Sequence, residues 1–348
     1  MPKAVHAPEA PQSGAVSRRR VMRAWMATAG VVAGLLAFQV IAGALLNPYY
    51  VQILIYIGIN VTLAVSLNLI NGYTGQFSLG HAGFMALGAY GSAAITYYLG
   101  APFGAVFHHL PGADTILFVL ALFAGGLVAA LAGLLVGIPT LRLRGDYLAI
   151  ATLGMGEIIR VVILNLDFVG GARGFTGIPE RSNLFWVYGG AALTILVVHR
   201  LVASTRGRAF LAIREDETAA EAMGINTTRT KVTAFLVGAF FAGVGGGLFA
   251  HSVTYLHTNT FGFLKSIEFV VMVVLGGMGS ITGSVIAAAV LTVLPEVLRA
   301  AQELRMVIYS LLLVVLMLAR PQGLLGMREI PIARVGAWLR GRLGAPAA

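Results

Sequence analysis

The chain has 348 residues, of which 58% are apolar and 11% charged, with a net charge of +10. Soluble proteins average about 25% charged residues, so this chain cannot cover a globular surface in water, and lipid is the solvent that suits the rest of it. A soluble enzyme, a disulfide-stapled secreted scaffold (there is no cysteine) and a disordered tail are excluded together.

Arg18, Arg19, Arg20 and Arg23 precede the first apolar run. Ser17-Arg18-Arg19-Arg20 has a superficial likeness to a twin-arginine export signal. The run Ala24 to Leu46, however, has the length of a full span and no small-residue cleavage site, so an uncleaved first helix is expected. Further apolar stretches fall at 50–70, 80–99, 115–138, 147–166, 184–203, 232–255, 264–278, 281–299 and 305–320. The expectation is an all-α, polytopic membrane protein with about ten crossings, including broken or re-entrant segments. Residues 71–83 are too polar and Gly-rich for a continuous helix, and 264–278 is short enough either to cross or to re-enter. By domain, a basic tail (1–23) leads into a transmembrane body (24–320) with a loop at 204–231, and a second basic tail (321–348) follows. Of the 24 Lys and Arg, 18 fall on the side of the termini, 5 on the other side, and Arg160 lies within a span. The positive-inside bias therefore places both termini in the cytoplasm. Basic charge that flanks hydrophobic spans sets topology, so no nucleic-acid partner is expected.

Two Gly-interrupted regions stand out, one in each half: Gly72–Gly91 and Gly276–Gly283. Paired breaks point to a transport pathway, because backbone leaves helical geometry at membrane depth only where protein or water satisfies it. Close helix packing explains some of the same glycines, notably Gly80, Gly83, Gly88 and Gly91. The path candidates are Asn71, Gly72, Thr74, Gln76, Ser78 and His81 in the first region and Gly276, Gly277 and Gly279 in the second. Glu157 joins them as an intramembrane acid.

Chemistry-bearing constellations are scarce. The only lysines are Lys3, Lys231 and Lys265 and no Gly-Lys dipeptide occurs, so a phosphate-binding loop is impossible and any ATP-driven step must use another polypeptide. No histidine has zincin spacing and there is no Gly-x-Ser-x-Gly elbow; no catalytic role, metal or cofactor is expected. Glu157 and Arg160 stand three apart on one helical face and can neutralise each other, and Lys265 and Glu268 repeat the spacing. Asp146 opens the fifth span as an N-cap.

The loop segment Arg208 to Met223 has no Gly or Pro and favours one helix, ended by Gly224. Its charges alternate in sign, while Phe210, Ile213, Ala219, Ala220 and Met223 offer small or apolar surface. It reads either as an amphipathic helix lying on the membrane or as a docking helix for a soluble motor protein.

Thr218-Ala219-Ala220-x-x-x-Gly224 resembles the Glu-Ala-Ala-x-x-x-Gly coupling loop of ABC importer permeases, with Thr in the Glu position and Glu217 just before it. Further motifs follow in order: Asn71-Gly72-Tyr73-Thr74-Gly75-Gln76-Phe77-Ser78-Leu79-Gly80-His81-Ala82-Gly83-Phe84, Leu143-Arg144-Gly145-Asp146-Tyr147 and Gly174-Phe175-Thr176-Gly177-Ile178-Pro179. Ala219 to Asn226, Gly276-Gly277-Met278-Gly279-Ser280 and Arg320-Pro321-Gln322-Gly323-Leu324 complete the series. Over residues 30–326 the chain resembles the LivM-type permease of branched-chain amino acid ABC importers. The resemblance implies an importer of leucine, isoleucine and valine in a bacterial inner membrane. Such an importer has a second, LivH-type permease, two cytoplasmic ATP-binding subunits and an extracytoplasmic solute-binding protein. It assigns ATPase coupling to Arg214, Glu215, Asp216, Glu217, Thr218, Ala219, Ala220 and Gly224. The same family includes permeases for urea and short-chain amides, and an ion-coupled carrier acting alone is the rival from another class.

Overall fold

In the computed structural model the described residues are 30–106, 112–141, 143, 145–299, 307, 310, 311, 314, 315 and 323–326. A first helix, α1 (Gly30–Leu45), is followed by α2 (Pro48–Asn68), which begins where Asn47 accepts a hydrogen bond from the Tyr49 amide and Pro48 supplies a helix-ready φ. Then come α3 (His81–Val106), α4 (Ala113–Thr140), α5 (Asp146–Leu164) and α6 (Leu184–Ala203). Two short helices, α7 (Thr205–Glu215) and α8 (Glu217–Ala222), precede α9 (Thr227–Val253), α10 (Phe263–Gly276) and α11 (Ile281–Val297). No strand occurs among the described residues.

Nine of the ten expected stretches hold a continuous helix and the described residues of the tenth, 305–320, are helical too, but among the described residues six segments are long and apolar enough to cross a membrane: 48–73, 113–140, 146–164, 184–203, 227–253 and 258–276. The described parts of α1 and α11 are shorter, and α3 loses hydropathy to its glycines and tyrosines. The basic tail 1–23 and most of the expected span 305–320 and of the tail 321–348 lie outside the described residues. Asp146 is the first helical residue of α5 rather than its cap. Gly145 holds the cap position, with no side-chain cap hydrogen bond among the described residues.

The centre is built from α3, α4 and α9, with α2 packed on α9, α6 and α11, and α5 against α3. Lipid gives helices no hydrophobic reason to associate, so contact rests on close backbone approach. A Cβ on Gly88 would lie 2.1 Å from the Gly243 carbonyl oxygen, and one on Gly246 would lie 2.0 Å from that of Met85. Hydroxyls inside these helices are satisfied locally: Thr62, Thr140 and Thr194 donate to carbonyls four residues back. At the end away from α7 and α8, the two connecting loops pair through Phe175 and Leu256, whose amides and carbonyls exchange bonds of 2.8 and 2.9 Å.

Candidate functional site

The first break is a run of backbone that polar side chains hold in place of helix. Helix α2 passes into a π-helical turn at Leu69–Tyr73, after which residues 74–80 are irregular until α3 opens at His81. Asn71 clasps the strip from both sides: its Oδ1 accepts from the Ser78 amide (3.1 Å) and its Nδ2 donates to the Ser78 carbonyl (3.3 Å). The Gln76 amide donates to the Ile70 carbonyl, the Leu79 amide to Thr152 Oγ1 and the Ala82 amide to Ser266 Oγ. Thr74 and Gln76 spend their side-chain donors on the Ile70 and Thr74 carbonyls. This is the satisfaction that non-helical backbone at membrane depth requires. His81 Nε2 lies 2.9 Å from Ser66 Oγ, whereas His81 Nδ1 and Ser78 Oγ are buried without a hydrogen-bond partner among the described residues.

The second break lies directly against the first. Helix α10 ends at Gly276. Gly277 (φ +109°) and Gly279 (φ +87°) turn the chain through a region open to glycine, and Ser280 caps α11 by accepting from the Gly283 amide. One side chain of α2 grips this turn: Asn68 Oδ1 accepts from the Gly279 amide and Asn68 Nδ2 donates to the Ser280 carbonyl, both at 2.9 Å. Gly72 fits beneath, where a Cβ would sit 1.8 Å from Asn68 Oδ1 and 2.4 Å from the Gly279 nitrogen. Residues 323–326 return to the same place, the Leu324 amide donating to the Leu275 carbonyl at 2.7 Å. The two Gly-interrupted regions of the two halves are therefore one junction. Sequence reading missed Asn68; the available signal was a carboxamide in an otherwise apolar span.

The loop helix meets this junction. The expected single helix from Arg208 to Met223 is two helices, because Asp216 adopts extended backbone (φ −155°, ψ 111°) and accepts from the Thr218 and Ala219 amides. An acid able to cap the next helix outweighs the helical preference of its neighbours. Gly224 ends α8 as expected, at φ +85°. Arg214 reaches back across 142 residues to donate from Nη1 to the Gly72 carbonyl at 2.9 Å, and a Cβ on Gly279 would lie 2.6 Å from that nitrogen. A second tie is the Lys231–Glu217 ion pair, Nζ to Oε1 2.6 Å, joining α9 to α8. In sequence Lys231 simply ends the 204–231 loop; its partner and its burial come from the fold.

The surface offered by α7 and α8 differs from the expected one. Phe210, Ile213 and Ala220 are buried in the protein's own packing. Glu215, Asp216, Thr218, Ala219, Glu221, Ala222, Met223 and Gly224 are exposed, Met223 most of all at 83%.

Glu157 lies on a different face. It pairs with Arg160 at 2.7 Å, and Arg160 Nη1 also donates to Asn259 Oδ1 at 3.4 Å. On the adjoining α10, Lys265 pairs with Glu268 at 2.8 Å and lies over the Phe269 ring. The four charged side chains are 24–37% exposed in this chain. Glu157 is eleven residues into α5, about 16 Å along its axis, a depth at which bare lipid solvates charge poorly.

A family described as "Branched-chain amino acid transport system / permease component" matches residues 49–318. The LivM high-affinity branched-chain amino acid permease proteins of Salmonella typhimurium (strain LT2) and Escherichia coli K12 are each 38% identical to this chain over 304 residues, covering 77% of it and 68% of their own length. The LivH permease protein of Salmonella typhimurium is 32% identical over 166 residues, 47% of this chain and 53% of its own. No solved structure matches this chain.

Proposed function

The chain belongs to the family of branched-chain amino acid transport system permease components, and from that premise we propose that it forms half of an ATP-driven import conduit for leucine, isoleucine and valine. It is a multi-pass, all-helical membrane protein. Its partners in this reading are a second, LivH-type permease, two cytoplasmic ATP-binding subunits and an extracytoplasmic solute-binding protein. The membrane is the bacterial inner membrane, crossed about ten times by the 24–320 body, with both basic tails in the cytoplasm.

The observation that carries this reading is the position of Arg214, seated on the first break and against the second near the end of the charged helix α7. When the ATP-binding subunits close, the exposed face of α8 receives the push. Arg214 and the Lys231–Glu217 pair pass it to the Gly72–Gly279 junction and to α9. Alternating access follows as rigid-body movement of helices about the two breaks. An amino-acid zwitterion with an apolar side chain needs paired charge of both signs and little net charge along its route. The Glu157–Arg160 and Lys265–Glu268 face meets that need once the second permease covers it. In the first break, Asn71, Thr74 and Gln76 hold backbone, which leaves Ser78 and His81 to meet solute or water.

The test is uptake by proteoliposomes containing this chain with its membrane partners. ATP-dependent accumulation of labelled leucine, competed by isoleucine and valine but not by urea or acetamide, is expected. Uptake that runs on an ion gradient without any ATP-binding subunit overturns the reading, and competition by amides moves the substrate to that class.

A further inference from the structure

A second feature of the loop region lies beside the coupling lever. Where α7 meets the first two turns of α9, a cleft of about 450 Å³ opens between Arg206, Ala209 and Phe210 on one side and Arg229, Thr230 and Thr233 on the other. Thr230 and Thr233 donate their hydroxyl protons to the Asn226 and Arg229 carbonyls, so the cleft's positive character comes from the two guanidinium groups. Neither guanidinium has an ion pair or side-chain hydrogen bond among the described residues, and no carboxylate lines the cleft. The nearby acids are occupied: Glu217 by Lys231, and Asp216 by the amides that open α8. Phe210, 1% exposed, and Ala209 give the inner wall an apolar surface.

We propose that this cleft holds the headgroup phosphate of an anionic phospholipid from the leaflet next to the coupling segment. The cleft is placed where a spanning helix leaves the membrane, since α9 runs from Thr227 into the bundle. Arg229 and Thr233 stand four positions apart, about 6 Å of axis and the scale of one headgroup. Two unpaired arginine forks suit a phosphodiester, whose one negative charge is shared between two tetrahedral oxygens, and an apolar wall suits the glycerol and first acyl carbons. Basic pockets of this kind between helices recognise anionic lipid at membrane surfaces. The exposed face of α8 is carried by other residues, so a partner seated there leaves the cleft to lipid. The proposal rests on the membrane placement and not on the identity of the solute.

Full-length protein, purified in mild detergent with its membrane partners, is titrated with phosphatidylglycerol and separately with phosphatidylcholine, and bound lipid is counted by native mass spectrometry. Phosphatidylglycerol is expected to be retained preferentially. The double variant R206A/R229A should weaken it about 30-fold, the worth of two cationic contacts at an anionic surface. R208A, which removes an α7 charge outside the cleft, should change it less than about threefold, and R206K/R229K, which keeps both charges but loses the forks, should fall between the wild type and R206A/R229A. Equal affinity for the two lipids, or an equal loss in R208A and R206A/R229A, overturns the proposal. Inorganic phosphate binding as tightly as phosphatidylglycerol also overturns it in favour of a free anion. Any of these failures leaves the ATP dependence of uptake untouched, so this proposal and the transport reading fall separately.

Discussion

Glu217→Ala should destabilise the protein more than Lys231→Met, although the two changes break the same ion pair. At 2.6 Å the pair attracts by about 6 kcal/mol at an effective dielectric near 20, most of which is offset by the desolvation of two ions. What remains after each substitution differs. The Lys231 side chain is 1% exposed and cannot reach water if Glu217 is lost, so its charge stays buried and unpaired, at a cost of about 3–5 kcal/mol. The Glu217 side chain is 22% exposed and sits at the first turn of α8, so it can turn outward when Lys231 becomes a methionine of similar length. That change should cost about 1–2 kcal/mol. The double variant should resemble Lys231→Met, giving a non-additivity of about 2 kcal/mol or more. Denaturant titration of the four proteins in mixed micelles measures all three quantities. Equal costs for the two single variants, or strict additivity, would refute the argument that burial rather than the contact itself sets the energy.

Gly72→Ala places a methyl against Asn68 and the Gly279 amide and should cost about 1–3 kcal/mol by overpacking. Gly189→Ala, in open space on α6, should be neutral or slightly stabilising, and the same titration compares them. Arg214→Ala should cut ATP-dependent uptake at least about tenfold while the assembled complex still purifies, and Arg214→Lys should recover part of it, because a point charge reaches a carbonyl less well than a fork does. Met223→Cys should crosslink to an ATP-binding subunit, whereas Ala220→Arg should lower the amount of folded protein, since Ala220 is buried; crosslinking yield and membrane abundance separate the two effects. Exchanging the charges of Glu157 and Arg160 keeps their pair and should leave the melting temperature within a few degrees. If their face meets solute, leucine uptake should nonetheless fall about tenfold or more, and unchanged uptake would assign the pair a structural role.

Much of the helical layout was readable because apolar length is a direct signal of a span. Residues 71–83 and 276–280 were also readable as interruptions, since Gly, Asn and polar clusters cannot continue a lipid-facing helix. What sequence could not supply was adjacency. Gly72 and Gly279 are 207 positions apart, and only the fold shows one fitted beneath the other with Asn68 and Arg214 closing the gap. The loop helix was misread at Asp216 for a local reason: the same residue serves a helix interior poorly and a cap well, and its neighbours favour either outcome. Asn71, Thr74 and Gln76 read from sequence as solute ligands, and only the fold shows that Asn71 and the side-chain donors of Thr74 and Gln76 bond the backbone around them. Glu157 and Arg160 were paired correctly from spacing alone, because a three-residue offset on a helix fixes proximity without any help from tertiary structure.

The glycine contacts among α3, α4 and α9 bear on how the protein can move. Where backbones touch with no side chains between them, sliding one helix past another by even an ångström drives carbonyl oxygen into carbon, as Gly88 against Gly243 and Gly246 against Met85 require. These three helices must therefore travel as a single keel. Shape change during a transport cycle is left to the thinner attachments around it, where α5 and the α10–α11 turn are hung.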